Sequence, residues 1–166
     1  MTDSKRPCGI YRLCDGVWAG RYPDERAIRQ LTSEGVITYV DLTRWDEQWV
    51  YSIKDYEKLL PDGARRFRFP LWTYWLPPIE NLLAIVRVVE NNAPTYVHCR
   101  QGLDRTGVIA ALVLRKRGTE LNEALSYLTL ARGTISPRKR YHLKYLEKAA
   151  LTLRDELSAH DRMPHK

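Results

Sequence analysis

Residues 96–107 read Tyr-Val-His-Cys-Arg-Gln-Gly-Leu-Asp-Arg-Thr-Gly, a strand that ends on a cysteine, a tight loop and the start of a helix. A loop of this shape makes an anion site. The backbone N–H groups of Arg100, Gln101, Gly102, Leu103, Asp104 and Arg105 can converge on one point. The helix that follows adds the positive end of its dipole, and Gly102 removes a side chain where the backbone would crowd the anion. A phosphate group meets those requirements. The field that holds an anion also favours a thiolate, which sets Cys99 as a nucleophile toward phosphorus. Arg105, at the far end of the loop, has a planar fork that binds two equatorial oxygens and the charge spread over them in the transition state. Lysine would not supply that geometry. The alternative for Cys99 is an inert buried thiol.

The flanking sequence must position this loop. Short apolar runs over 10–13 and 17–19, separated by Asp15-Gly16, predict two short strands. Ala27, Ile28 and Leu31 recur at helical spacing up to Gly35, and the β-branched stretch 36–42 reads as a strand. Residues 43–64 show no sustained periodicity and read as an irregular excursion with one short helix near 56–60. A strand over 65–69 leads into the proline-bracketed aromatic loop Pro-Leu-Trp-Thr-Tyr-Trp-Leu-Pro-Pro. A helix from Pro78 to about Asn91-Asn92 follows, its apolar face marked by Ile79, Leu82, Leu83, Val86 and Val89. The buried strand 95–98, the loop 99–105, the apolar run 108–114 and helices over 120–131 and 137–157 complete the chain, with Ser136 as the cap of the last helix. This alternation predicts an α/β fold, a small central sheet with parallel core strands flanked by helices. It also predicts one domain over 1–166, with its core at 10–157 and a polar tail at 158–166 that frays.

Composition narrows the class. At 44% hydrophobic and 28% charged residues the chain is expected to be globular rather than disordered. Lys and Arg number 27 against 20 Asp and Glu, a net charge of +7, which draws in phosphorylated or polyanionic partners and allows contact with an anionic surface. Scattered solvent charge is the alternative. Three cysteines, Cys8, Cys14 and Cys99, cannot pair completely, and no secretory or membrane-spanning run is present, so the expected compartment is the cytoplasm. Cys8 or Cys14 could trap an oxidised Cys99 as a disulfide, with ordinary free thiols as the default.

The string His98-Cys99-x5-Arg105-Thr106-Gly107 resembles the signature of the protein tyrosine phosphatase superfamily, and specifically its small dual-specificity-like branch. The segments Val17-Trp18-Ala19-Gly20, 36–42, Phe69-Pro70 and Pro77-Pro78 fall in the order that branch shows, so the resemblance covers about residues 10–150. It implies a phosphoric monoester hydrolase of the phosphotyrosine or dual-specificity type, working through a phosphocysteine intermediate without metal or cofactor. It further implies that His98 tunes and orients the loop and that Thr106 assists departure of the thiolate. A core histidine and a helix cap are the respective alternatives.

One feature of that branch is missing. Most of its members carry an aspartate, three or four residues after a proline and before another, in a mobile loop where it protonates the leaving oxygen. Here Leu71-Trp72-Thr73-Tyr74-Trp75 occupies the place, and no carboxylate lies between Pro70 and Pro78. A general acid contributes about 10²–10⁴-fold, so another must serve or activity is weak, above all on alkyl phosphates. Asp104 is the first candidate, because Leu-Asp-Arg-Thr resembles the loops of Sac-type and myotubularin-type phosphoinositide phosphatases. The alternative is that Asp104 pairs with a neighbouring base or fixes loop shape. Asp46 and Glu47 are the second choice. Trp72, Tyr74 and Trp75 form either a rim around the pocket or packing under the following helix. Arg100 and the runs Arg115-Lys116-Arg117 and Arg138-Lys139-Arg140 either read several phosphates or are solvated faces.

The expected partner is therefore a phosphorylated protein or, alternatively, a phosphoinositide or inositol phosphate. A phosphate-binding pseudophosphatase scaffold is the rival from another class. Nucleic acid is not expected, since no recognition motif supports it.

Overall fold

The computed structural model describes residues 9–160, with side chains to residue 153. Its elements run β1 (Ile10–Cys14), β2 (Val17–Arg21), α1 (Glu25–Ser33), β3 (Thr38–Asp41), α2 (Trp45–Val50), β4 (Arg65–Arg68), α3 (Ile79–Asn91), β5 (Thr95–Cys99), α4 (Asp104–Lys116), α5 (Leu121–Arg132) and α6 (Arg140–His160). The sheet has five strands in the order β1-β2-β5-β3-β4. β2, β5, β3 and β4 run parallel, and β1 pairs antiparallel with β2. The parallel core expected from the alternation of elements is present, and β5, the strand that delivers Cys99, lies at its centre.

Strand periodicity of two explains how both faces of the sheet are covered. Val17, Ala19, Val40 and Val97 face one way, into a core completed by α3, α4, α5 and α6. Trp18, Tyr39 and Tyr96 face the other way and pack with Ile28 and Leu31 of α1, which starts at the Asp24 cap. α4 is buried along nearly its whole length, from Asp104 to Arg115. The loop before it is thus clamped between a central strand and a central helix, at the carboxyl ends of the parallel strands, where open α/β sheets place their ligands.

Three expectations need correction. The excursion 43–64 contains α2 and, near the predicted helix, only a single 3-10 turn at Glu57–Leu59. Pattern reading passes over α2 because the helix has no apolar stripe to detect: Trp45 and Trp49 are exposed and Glu47 is its buried residue. Ser136 does not cap the last helix, which starts later, at Arg140; its hydroxyl donates to the Leu103 carbonyl at 2.7 Å. The helix after the loop begins at Asp104, and α6 reaches His160, into the stretch read as tail. The remainder of that tail, like Cys8, lies outside the described residues.

Candidate active site

Cys99 ends β5 with 2% of its surface exposed, and its Sγ accepts a hydrogen bond from the Gly102 N–H at 3.2 Å. Gly102 is required here for a reason the sequence does not reveal. Its φ is +69°, and a Cβ would stand 2.2 Å from the Gly20 carbonyl carbon and 2.5 Å from the Arg21 nitrogen. This crowding comes from the end of β2. Tyr22 N–H reaches the Arg100 carbonyl at 3.2 Å, so the β2 end and the loop hold each other by backbone bonds.

A small cavity of about 30 Å³ is lined by Thr73, Cys99, Arg100, Gln101, Asp104 and Arg105. Arg105 is 4% exposed. Its Nη1 donates to the Leu42 and Leu71 carbonyls at 3.2 and 3.1 Å, and both terminal nitrogens bond the Glu47 carboxylate, Nη2 to Oε2 at 2.8 Å. Burial penalises the Arg105 charge, but Glu47 and the neighbouring Cys99 hold its pKa above the ordinary arginine value. Glu47 in turn is raised by burial and lowered further by Arg105, by the Arg44 N–H at 3.0 Å and by Arg100, so its carboxyl lies below the usual range. Glu47 is a carboxylate that carries Arg105, not a free proton donor. Asp46 is tied to Arg44 at 2.8 Å.

Asp104 lines the cavity with both oxygens engaged. The Arg138 N–H donates to Oδ1 and the Arg138 guanidinium to Oδ2, each at 2.8 Å. Burial pushes the Asp104 carboxyl up, yet the bonds and charge of Arg138 hold it below its ordinary value. Arg138 also reaches Gln101 Oε1 at 2.8 Å, and Arg132 reaches the Gln101 carbonyl at 3.0 Å. These two arginines brace the loop from outside. Fully buried His142 lies 3.9 Å from Asp104, and burial outweighs that neighbour to push its pKa down to about 4.

His98 is fully buried, stacked on Tyr96 and edge-on to Tyr22 and Tyr56, with its Nε2 2.7 Å from the Tyr56 hydroxyl. Burial lowers its pKa to about 4 against the pull of Asp41 at 3.8 Å, so the ring is neutral at pH 7. Asp41 is itself bound by Arg66 at 2.5 Å, and Arg66 also lies 4.3 Å over the Tyr56 ring, so it supports His98 by two routes, Asp41 and Tyr56. Thr106 is buried and its hydroxyl lies 3.4 Å from the Gly20 carbonyl, facing β2 rather than capping α4.

Several sequence candidates separate from the cavity. Cys14 pairs with Val17, whose parallel partner is Thr95, whereas Cys99 pairs with Arg21. Cys14 therefore stands at the opposite end of the sheet and cannot trap Cys99. Arg115 and Arg117 engage Glu120 and Glu90 at the far end of α4. In the 70–78 loop Leu71 and Leu76 do the packing, while Trp72, Tyr74 and Trp75 are exposed. Glu47 as the carrier of Arg105, the Arg66–Asp41 pair and the bracing by Arg132 and Ser136 are not visible in the sequence; Arg44-x-x-Glu47 at helical spacing is the one local hint. Among the described residues no group of three or more metal-ligating side chains converges, and no helix is long and apolar enough to cross a membrane.

Comparison with known proteins agrees with the geometry. A family model described as "Polymorphic toxin system, DSP-PTPase phosphatase" matches residues 17–119. Among solved structures the chain is similar to the active form of Tk-PTP, at 25% identity over 86% of this chain and 96% of that one, with a TM-score of 0.68. TpbA of P. aeruginosa shares 19% identity over 91% of each chain, TM-score 0.73. PTPMT1, crystallised in complex with PI(5)P, shares 20% identity over 90% of this chain and 99% of that one, TM-score 0.74. No curated protein matches the sequence significantly.

Proposed function

The chain belongs to the polymorphic-toxin DSP-PTPase family and is a cysteine-dependent phosphatase of the dual-specificity class, and from that premise we propose that it hydrolyses aryl phosphomonoesters of the phosphotyrosine type in preference to alkyl phosphates. The observation that carries this reading is the state of the carboxylates around the cavity. Asp104 and Glu47 are both ionised and both bound by arginines, and the 70–78 loop supplies none. A phenolate leaves without a proton far more readily than an alkoxide.

In the proposed mechanism the Cys99 thiolate attacks phosphorus in line. An S–P bond forms as the bond to the leaving oxygen breaks, and that oxygen departs with the bonding pair and takes a proton from water. Water then attacks the phosphocysteine, the S–P bond breaks, the thiolate is restored and inorganic phosphate leaves. Arg105 uses its Nη1–Nη2 edge on Glu47, which leaves the Nε–Nη2 edge for two equatorial phosphate oxygens. In this reading the arginine stays fixed through both steps, so little reorganisation is needed as charge develops. Thr106 stabilises the departing thiolate in the second step, and neutral His98 fixes the strand end from which Cys99 projects. Arg138, held by Asp104, keeps the loop closed around the anion.

Phosphoinositide headgroups are the second reading, favoured by Arg100, which lines both the small cavity and an adjoining cleft of about 830 Å³ where Arg21, Lys54 and Lys58 stand beside Asp24, Glu25 and Asp55. The test is phosphate release from phosphotyrosine, phosphoserine and PI(5)P without added metal, by wild type and Cys99→Ser. Wild-type turnover highest on phosphotyrosine and abolished in Cys99→Ser supports the first reading. Turnover highest on PI(5)P replaces it with the second, and none on any substrate leaves a phosphate-binding scaffold.

A further inference from the structure

Six large aromatic side chains stand in solvent on the two segments that flank the phosphate cavity. Trp45, Trp49 and Tyr51 belong to α2 and its end, and are 74%, 83% and 52% exposed. Trp72, Tyr74 and Trp75 belong to the 70–78 loop, and are 56%, 74% and 79% exposed. Hydrophobic residues scattered singly over a surface need no explanation, but six exposed aromatic side chains on two segments that meet beside one cavity do.

Three of them, Tyr51, Trp72 and Tyr74, make contacts that tie the two segments to the cavity's surroundings. Tyr51 lies 3.9 Å under the guanidinium of Arg100, inside the loop. Trp72 lies 3.0 Å from that of Arg44, which begins α2, so the two segments are stitched together beside the opening. Thr73, between Trp72 and Tyr74, lines the cavity itself. Tyr74 faces Lys139 at 5.1 Å, next to the Arg138 that braces Asp104. The segments are also anchored from below: Glu47 bonds Arg105, Leu71 and Leu76 are buried, and Tyr145 donates to the Pro77 carbonyl at 2.5 Å. The aromatic rim is therefore held outward by the fold.

Aromatic rings alternating with Arg and Lys form the combination that settles at the headgroup level of a bilayer, where an amphipathic ring has one apolar side and one wet side. Lys139 beside Tyr74 adds attraction to anionic lipid, as does the net charge of +7, while Arg44 and Arg100 are offset by Asp46 and Glu47. We propose that this rim docks the phosphatase on an anionic lipid surface, with the mouth of the Cys99 loop turned toward the headgroup plane. The occupant is a bilayer rather than a protein groove because the rings are spread over two neighbouring segments and three of them lie against cations, rather than being gathered into one apolar strip. The proposal rests on the reading of the 99–105 loop as the catalytic mouth, and it holds for either substrate class.

The experiment uses the full chain carrying Cys99→Ser, with vesicles of phosphatidylcholine alone and of phosphatidylcholine with phosphatidylserine. Sedimentation is the first readout, and quenching of tryptophan fluorescence by brominated acyl chains is the second. The expected result is binding to the phosphatidylserine vesicles that weakens with salt, with quenching. The double substitution Trp45→Ala, Trp49→Ala should weaken binding about tenfold, the equivalent of about 1.4 kcal/mol. In the Cys99 background the same double variant should hydrolyse soluble p-nitrophenyl phosphate as wild type does, which shows that it folds.

Absence of binding to the phosphatidylserine vesicles overturns the proposal, as does binding without quenching. So does a dimer in solution that the double substitution dissociates, because the rim would then be an interface between copies. In each of those cases intact hydrolysis of p-nitrophenyl phosphate leaves the phosphatase reading standing. Loss of hydrolysis in the wild type would instead remove the reading on which the proposal rests.

Discussion

Replacing Glu47 by glutamine removes a charge without opening a cavity, at the residue that carries Arg105. In the folded protein the carboxylate makes two bonds to a guanidinium that is 4% exposed. Glutamine keeps one acceptor oxygen but presents an amide N–H₂ to the other arginine nitrogen, so the arginine charge stays buried and uncompensated. Breaking a buried pair in this way costs about 3–5 kcal/mol, and the retained oxygen sets the expectation at the lower end, about 3 kcal/mol. In a domain of this size that is a fall in Tm of roughly 6–12 °C. Arg105 would also lose the edge that fixes its orientation, and displacement of a positioned group by about 1 Å costs about 10²-fold in kcat/KM. The assay is p-nitrophenyl phosphate hydrolysis, with kcat and KM separated, beside thermal denaturation of Glu47→Gln and Glu47→Asp. Because Arg105 is proposed to grip phosphate in both ground and transition state, KM should rise as kcat falls, and Glu47→Asp, which keeps the charge, should recover part of the stability. Wild-type Tm and kcat/KM in Glu47→Gln would refute the role. A loss confined to alkyl phosphates, with loss of the basic limb of the pH profile, would show instead that Glu47 is the leaving-group acid.

Three further outcomes follow from the same geometry. Gly102→Ala should destabilise by about 2–4 kcal/mol and lower activity more than tenfold, since its methyl meets the Gly20 carbonyl at φ +69°; urea denaturation midpoints unchanged from wild type would count against it. Asp104→Asn should reduce hydrolysis of an aryl phosphate and of an alkyl phosphate by the same factor, about tenfold, because it loosens the Arg138 brace; a larger loss on the alkyl substrate would make Asp104 the acid. His98 and His142, each lowered from 6.5 to about 4, refuse protons that the unfolded chain accepts. Their stabilising contribution is therefore complete above about pH 6.5 and is lost as pH falls from there toward about 4, by about 2 kcal/mol for each histidine at pH 5. Urea midpoints that coincide at pH 7 and pH 5 would refute that sign.

How much of this was legible in the sequence depended on distance along the chain. The strand, loop and helix of residues 95–116 are contiguous, and the loop has a composition that suits anion binding, so it could be read without coordinates. The same holds for β1, β2, α1 and α3, whose apolar periodicities record the face that each buries. α2 escaped because it is held by one buried carboxylate and not by an apolar stripe.

Charges were the least legible residues, since a one-dimensional reading cannot tell a solvated cation from a structural one. Arg138 reads as part of a basic run, yet it closes on Asp104 34 residues away; Glu47 reads as a surface acid or a proton donor, yet it lies against Arg105 at a separation of 58. The family, and the contiguous loop that carries the proposed nucleophile Cys99 and the proposed phosphate-binding Arg105, belong to local chemistry that the amino-acid order determines by itself. The partners of the carboxylates, and with them which can donate a proton, were decided only when the fold buried them beside arginines. Burial and a neighbouring charge set a carboxyl group's protonation, and both are properties of three-dimensional packing.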